Sequence, residues 1–375
     1  MKKIIVIGCG FAGLAALQRL SKLKPALEIT AIDKNPYFNF LPCLPDTIGR
    51  NIHPDLLRYS LKTLSRKWKF NFIQERIESI DLEKNTASIC TQSLKYDYLV
   101  IASGTETNFY GNNEIKQHAY KLDDAADAQL IYSAIEKNDF DYYIISGAGY
   151  TGIEIATNLR IFLNKRSKNK PVIVVEKAPG ILGPLPDWIK NYVLDNLKML
   201  NIQLLLNSSI ASVGKDKVIL ANQKTFPNAM FIWAAGVKTP DFLRQLNVDK
   251  TPQGRLKVDA CLRIRDNCFV AGDNAYFTYK NNFLRMAVQF AITQGELTAS
   301  NIIRHIKGRP LAQYKPVDFG YIIPMANNKS CGEILGIKLK GLLPTFLHYA
   351  MSVYRSYGFK NRFGIIKGLL KAKRP

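Results

Sequence analysis

The feature that most constrains this chain is a glycine fingerprint written twice. The first copy is GCGFAG, with Gly8, Gly10 and Gly13, and the second is GAGYTG, with Gly147, Gly149 and Gly152. Each follows an apolar strand-like run, residues 4–7 in one case and 142–145 in the other. Each opens a segment with helical periodicity. Each is followed by a second apolar strand that ends in an acid, Asp33 after the first and Glu176 after the second. Strand, glycine turn, helix, strand and acid, in that order, make a dinucleotide site. Two copies imply two dinucleotides in one protein, which is what electron transfer from one to the other requires.

The chain has 375 residues, 47% of them hydrophobic, enough for two or three compact units with their own cores. Aliphatic runs alternate with helical patterns, as in α/β proteins. The formal net charge is +22, and a basic balance of that size suggests a polyanionic partner. Its location narrows the choice. Residues 338–375 carry Lys338, Lys340, Arg355, Lys360, Arg362, Lys367, Lys371, Lys373 and Arg374, with no Asp or Glu. An excess gathered in an amphipathic tail favours an anionic membrane surface over nucleic acid. The six cysteines (Cys9, Cys43, Cys90, Cys261, Cys268 and Cys331) form no CxxC pair and no metal-ligand spacing, and the four histidines are scattered. No metal site and no disulfide framework is expected, and a reducing compartment is. The start, Met1-Lys2-Lys3 before an apolar run, imitates a secretory signal, but the fingerprint begins within that run. No stretch approaches the ~20 uninterrupted apolar residues of a membrane span.

Residues 1–117 read as a first nucleotide-binding unit, closing with the buried strand and small-residue turn YDYLVIASGT, which holds Ala102, Ser103 and Gly104. Residues 118–245 form a second unit, inserted into the first, and close with AMFIWAAG, ending at Gly236. The first unit resumes over 246–314 with the strand NCFVAGD and a helix over 286–305. Residues 315–375 form a separate C-terminal piece.

The residue types explain the chemistry. Gly8 permits the tight turn, Gly10 lets backbone approach a pyrophosphate, and Gly13 lets the helix pack on the strand. The free N–H groups and positive end of that helix hold phosphate. Asp33 is placed to accept hydrogen bonds from ribose hydroxyls. In the second copy, an acid at Glu176 accepts from a free 2′-hydroxyl and repels a 2′-phosphate, favouring NADH over NADPH, although the adjacent Lys177 opposes this in part. Glu154, two residues after Gly152, is expected in the first turn of its helix. There it either complements the helix dipole or stands beside the nicotinamide. Gly272-Asp273 ends a strand at the edge where open α/β sheets bind ligands. A carboxylate at that point can accept from the polyol chain of a flavin; the same pair also makes an ordinary turn.

Together these residues resemble the two-dinucleotide flavoprotein reductases of glutathione reductase-like fold, and within them the type II NADH dehydrogenases, the single-subunit NADH:quinone oxidoreductases. The resemblance runs over nearly the whole chain. It is carried by GCGFAGL, NPYFNFLPCLPDTIGR, YDYLVIASGT, GAGYTGIEIA, WAAGV, VAGDNA, VQFAITQGELTASNI and the basic amphipathic tail. It implies non-covalent FAD at Gly8, Gly10, Phe11, Ala12, Gly13, Asp33, Lys34, Pro42, Ala102, Ser103, Gly104, Gly272 and Asp273. It implies NADH over Gly147, Gly149, Tyr150, Thr151, Gly152, Glu154, Glu176 and Gly236. The family's quinone segment usually reads AQxAxQ. Here Gln289 and Ala291 match and Thr293 replaces the second glutamine, so Gln289, Ala291 and Thr293 are the quinone candidates. Glu154 and Gln289 are the candidates nearest the two reacting ends. The resemblance also implies a peripheral enzyme on the cytoplasmic face of the inner or plasma membrane, with which a homodimer is compatible.

Two other readings compete. Coenzyme A-disulfide reductases and flavin NADH oxidases carry one active cysteine in a place similar to Cys43, so a Cys43-dependent enzyme is an alternative. Sulfide:quinone oxidoreductases need cysteines in mid-chain, and none lies between Cys90 and Cys261. A flavin-bound membrane redox sensor or scaffold is the third reading. In the tail, Leu343, Phe346, Leu347, Ala350, Met351, Tyr354 and Tyr357 recur at helical spacing on one side. Phe359, Phe363, Ile366 and Leu370 repeat the pattern after Gly358. Such a basic helix pair suits a bilayer interface or packs on its own domain; both can hold.

Overall fold

The computed structural model describes residues 1–22 and 27–372. Lys373 and Arg374, counted above among the tail cations, lie outside the described residues. The chain is α/β and divides into two compact units. One comprises Met1–Phe38, Tyr59–Glu106 and Val237–Asp318; the other comprises Asn39–Arg58, Thr107–Gly236 and Phe319–Pro375. These bounds differ from those drawn on the sequence. Residues 39–58 and the C-terminal stretch join the second fingerprint, because long-range packing that no local pattern encodes brings them together.

The first unit is built on a six-stranded sheet in the order Arg263–Arg265, Cys268–Val270, Tyr98–Ile101, Lys2–Ile7, Leu27–Asp33, Asn71–Gln74. It is parallel except for the outermost pair, Arg263–Arg265 with Cys268–Val270. Ile4, Val6, Val100 and Ile101 are buried on both faces, as parallel strands covered by helices must be. The helix Phe11–Lys22 turns Leu14, Ala15, Ala16 and Leu17 inward. The helix Val288–Ile306 lies against it so closely that a Cβ on Gly295 would stand 2.1 Å from the Ala12 carbonyl oxygen.

The second unit repeats the scheme with four parallel strands, in the order Ile202–Leu205, Val172–Val175, Tyr142–Ser146, Ala229–Trp233. Its core joins Ile145, Val174 and Ile232 of the sheet to Leu159 and Phe162 of the helix Tyr150–Asn164. Gly320–Ile323, Ser330–Ile334 and Ile337–Gly341 form an antiparallel meander in the same unit.

Two helices end the described chain, Leu342–Arg355 and Phe359–Ala372, separated at Gly358. The inward side of the first holds Thr345, Tyr349 and Ser352. Thr345 bonds Ser330 at 2.7 Å and Tyr349 donates to Asp46 at 2.8 Å. The second packs Ile365 inward, and Gly364 leaves room for Leu56. Leu342, Leu343, Phe346, Met351, Tyr354, Phe359, Phe363, Ile366 and Leu370 remain exposed. Among the described residues no helix is long and apolar enough to cross a membrane.

Candidate functional site

Each fingerprint folds into the same turn for the same reason. Gly8 has φ +92° and Gly147 φ +103°, the left-handed region in which a side chain is strained. A Cβ on Gly13 would stand 1.8 Å from the Gly8 carbonyl oxygen, and one on Gly152 would stand 1.9 Å from that of Gly147. By contrast, a Cβ on Gly10 or Gly149 would meet nothing within 4 Å. The outer glycines are needed for internal packing, and the middle ones face open space that a phosphate can approach. The helices Phe11–Lys22 and Tyr150–Asn164 carry no acid in their first turns, so nothing competes with an anion there.

The strand-end acids are held alike. Asp33 accepts from the backbone N–H of Cys9 at 2.7 Å and of Asn35 at 2.8 Å. Glu176 accepts from Ala148 at 2.7 Å and Ala178 at 2.8 Å. Each acid thus ties the second residue of its glycine turn to the neighbouring strand. Burial holds the Asp33 carboxyl above the usual range, against the pull of the Asn35 and Cys9 amides. Lys34 stands 4.0 Å from Glu106, a long contact between partly exposed groups.

In the first unit, Ala102, Ser103, Gly104, Gly272 and Asp273 come together through residues the sequence reading passed over. Asn274 Oδ1 accepts from Gly104 N at 2.9 Å and Ser103 Oγ at 3.1 Å, while its Nδ2 donates to the Gly104 carbonyl at 2.8 Å. Gln294 accepts from Gly272 N at 2.8 Å. Arg255 donates to the carbonyls of Asp273 at 3.1 Å and Ala275 at 2.6 Å. Burial raises the Asp273 carboxyl and Arg255 opposes the shift. Asn274 follows directly on the Gly-Asp pair, so its place in VAGDNA was a usable signal. Gln294 likewise lies in VQFAITQGELTASNI, directly after Thr293, whereas Arg255 had no signal.

Gln289, Ala291 and Thr293 lie on the helix Val288–Ile306 of that unit. Gln289 Nε2 donates to Asp318 at 2.9 Å, and Asp318 also pairs with Arg285. Thr293 bonds the Gln289 carbonyl at 3.0 Å and the Tyr314 hydroxyl at 2.8 Å.

Pro42, Glu154 and Gly236 fall in the second unit. Gly236 has φ +126°, and the Tyr110 hydroxyl would meet a Cβ there at 2.3 Å. The expected first-turn position of Glu154 is corrected. Its helix starts at Tyr150 with Gly149 as an extended N-cap, so Glu154 is the fifth residue and lies in the second turn. That is beyond the reach of most of the helix-end field. Burial, and then the neighbouring Asp46 carboxylate, push the Glu154 carboxyl well above the ordinary range. Asp46 is itself raised by burial, against Arg50, Tyr349 and Asn158. Cys43 is fully buried, and burial first and Asp46 second drive its thiol well upward.

Comparison with known proteins agrees with this geometry. The pyridine nucleotide-disulphide oxidoreductases match over residues 2–295. A type II NADH:quinone oxidoreductase of Staphylococcus saprophyticus is 28% identical over 92% of this chain and 93% of its own length. The fold is similar to NDH2 of Plasmodium falciparum, solved with NADH, at TM-score 0.86 and 19% identity, with 99% of this chain and 98% of that one covered. It is similar also to the sulfide:quinone oxidoreductase of Aquifex aeolicus, at TM-score 0.79 and 22% identity, with 97% and 92% covered.

Proposed function

We propose that this chain, which belongs to the pyridine nucleotide-disulphide oxidoreductase family, oxidises NADH and reduces a membrane quinone by two electrons, with FAD resident and no proton pumping. One observation carries the reading. Two open phosphate turns, each with a carboxylate fixed behind it, occur in a chain that spans 93% of the length of a relative named type II NADH:quinone oxidoreductase.

The residues of the first turn fit a flavin dinucleotide: Gly10 is open, and Asp33 is oriented by two amides. FAD, when bound, supplies the two-electron chemistry that takes a hydride from nicotinamide and passes electrons on. The protein supplies position, charge and exclusion of water. The unit of Met1–Phe38, Tyr59–Glu106 and Val237–Asp318 holds the flavin. The helix beginning at Phe11-Ala12-Gly13 receives the pyrophosphate, and Asp33 and Lys34 border the ribose. The turn at Ala102, Ser103 and Gly104 lines the flavin. Asp273, on the turn at Gly272, accepts from the polyol. Residues 118–245 hold NADH. Gly147, Gly149, Tyr150, Thr151 and Gly152 take its pyrophosphate, Glu176 accepts from the 2′-hydroxyl, and Gly236, against Tyr110, borders the dinucleotide. Glu154, in its protonated form more readily than an exposed acid, donates a hydrogen bond at the nicotinamide end. Gln289, held by Asp318, donates to a quinone oxygen, with Ala291 and Thr293 beside it.

Residues 315–375 place the enzyme on the membrane. The exposed Leu343, Phe346, Met351, Phe359, Phe363 and Ile366 enter the interface, and Lys360, Arg362, Lys367 and Lys371 meet anionic headgroups. A quinone then reaches the protein without leaving the bilayer, on the cytoplasmic face. A thiol-dependent reaction at Cys43 needs an accessible thiol of lowered pKa, and Cys43 is the opposite on both counts.

The test is an anaerobic NADH titration of flavin-loaded protein, followed by a short-chain quinone or a disulfide. The flavin bleaches with NADH and returns with quinone. Reoxidation by disulfide alone, or no bleaching, overturns the reading. Replacing Phe346 and Phe363 together by Ser lowers binding to anionic vesicles by at least about tenfold. Unchanged binding removes the membrane part alone.

A further inference from the structure

The second unit contains a buried cluster that the phosphate turns do not use. Cys43 closes the short helical turn Leu41–Cys43, and Asp46 opens the next, Asp46–Gly49, so the two side chains are one turn apart. The helix Leu342–Arg355 brings His348 to them, fixed by the bonds of its neighbours Thr345 to Ser330 and Tyr349 to Asp46. The Cys43 sulfur, a carboxylate oxygen of Asp46 and a ring nitrogen of His348 all lie within 4.8 Å of one another.

Three buried polar atoms around this point lack hydrogen-bond partners: His348 Nε2, Asn158 Oδ1 and Arg50 Nε. The first matters most. The imidazole also hydrogen-bonds the Pro42 backbone. A carbonyl on one ring nitrogen fixes the tautomer and leaves the other as a lone-pair donor, the arrangement seen behind metal-binding histidines. A desolvated lone pair without a donor is costly, and a cation satisfies it.

The donor set selects the ion. One sulfur, one carboxylate and one imidazole suit a borderline-soft divalent cation rather than magnesium or calcium, which take oxygen ligands. Charge is balanced as well. The dication meets the Asp46 carboxylate and a Cys43 thiolate, which forms when the thiol gives its proton to solvent on metal binding. Arg50 stands 3.5 Å from Asp46 and shares that carboxylate with the ion. Three protein ligands leave one tetrahedral position, and Asn158 Oδ1, a buried acceptor beside Asp46, can receive a hydrogen bond from a water held there.

We propose that Cys43, Asp46 and His348 bind one zinc-class divalent cation, which fastens the helix Leu342–Arg355 to the segment Asn39–Arg58. The proposal does not depend on the redox reading, although Asp46 interacts with Glu154, which that reading uses.

Cobalt(II) added to the flavin-loaded, full-length protein tests this, because tetrahedral cobalt absorbs to the red of oxidised flavin. One equivalent is expected to give tetrahedral ligand-field bands that zinc displaces, and zinc is expected to raise the Tm. Cys43→Ser and His348→Gln are each expected to weaken binding by at least about tenfold. Cys90→Ser, at the exposed cysteine, is expected to leave the bands and the basal activity unchanged. An octahedral spectrum, bands that persist in the His348→Gln protein, or bands lost in Cys90→Ser each overturn the proposal. Should Cys43→Ser lose its flavin, the His348→Gln spectrum and the zinc-dependent Tm decide.

Discussion

The two fingerprints share a backbone and differ in what their helices carry. Gly13 and Gly152 occupy equivalent places, and two residues later the first helix has Ala15 where the second has Glu154. Ala15 is 7% exposed, among the buried residues Leu14, Ala16 and Leu17 of its helix. Glu154 carries a carboxyl whose ionisation burial and Asp46 oppose. The covering elements differ too. Gly295 of a nineteen-residue helix backs the first. The four-residue helix Asp46–Gly49 backs the second, with Gly49 so close to Asn158 that a Cβ would stand 2.6 Å from its carbonyl oxygen. The same turn thus recurs as a part, and the two copies differ one helical turn further on, where the position is closed by packing in one and holds an acid in the other.

The strongest way to break the comparison is to damage each turn in the same manner. Gly13→Ala is expected to cut bound FAD more than about tenfold, because the Cβ collides with a backbone carbonyl that cannot move without opening the turn. Gly152→Ala, with the same collision, is expected to keep its flavin and raise KM for NADH by at least about tenfold. Flavin content and steady-state kinetics check both. If both variants lose FAD equally, the two sites are not separable.

The next test exchanges what the helices carry. Glu154→Gln is expected to lower kcat by about 10–100-fold, the scale of a proton-bearing group, with flavin content unchanged. Ala15→Glu places an unpaired carboxylate in apolar surroundings and is expected to cost about 3 kcal/mol or more of stability, read by denaturant unfolding. A tolerated Ala15→Glu would show that the difference between the helices carries no energy.

Smaller effects sharpen the acids. Glu176→Gln is expected to shift the NADH to NADPH preference by about tenfold at most, since the group is partly solvated. The same change at Asp33 should leave that preference alone and weaken FAD. The smallest effect is a pH dependence. Burial raises the Asp273 carboxyl, so the folded, flavin-free protein holds that proton more tightly than the unfolded chain. Its contribution to stability is complete below the ordinary aspartate value of about 3.9 and is lost as pH rises through the raised value. Asp273→Asn is expected to flatten that fall, measured as Tm against pH.

Much of the site was readable before folding, because its parts are local. Gly8 to Asp33 and Gly147 to Glu176 each form one strand–turn–helix–strand unit, and the spacing of a tight turn leaves few residue types possible. The supports were not readable. Asp318 holds Gln289 across 29 positions, and Asn274 clamps Gly104 across 170. Cys43 and His348, on which the cysteine and histidine spacing argued against a metal site, come within 4.8 Å only because the last helices fold back onto residues 39–58.

The tail shows the same limit. Its periodicity fixed which apolar residues share a side, since 3.6 residues per turn is a property of the backbone. It did not fix which way that side faces. Contacts decided it: Thr345, Tyr349 and Ser352 find polar partners inside, and Phe346, Met351 and Tyr354 are left outside. The sequence by itself determined two dinucleotide turns, their acids and an amphipathic basic end, because each is set by neighbours a few bonds away. Only the tertiary structure decided which distant groups share a buried space, because that depends on closing long loops against packed surfaces. The surroundings of Glu154 and the three donors beside it belong to that second class.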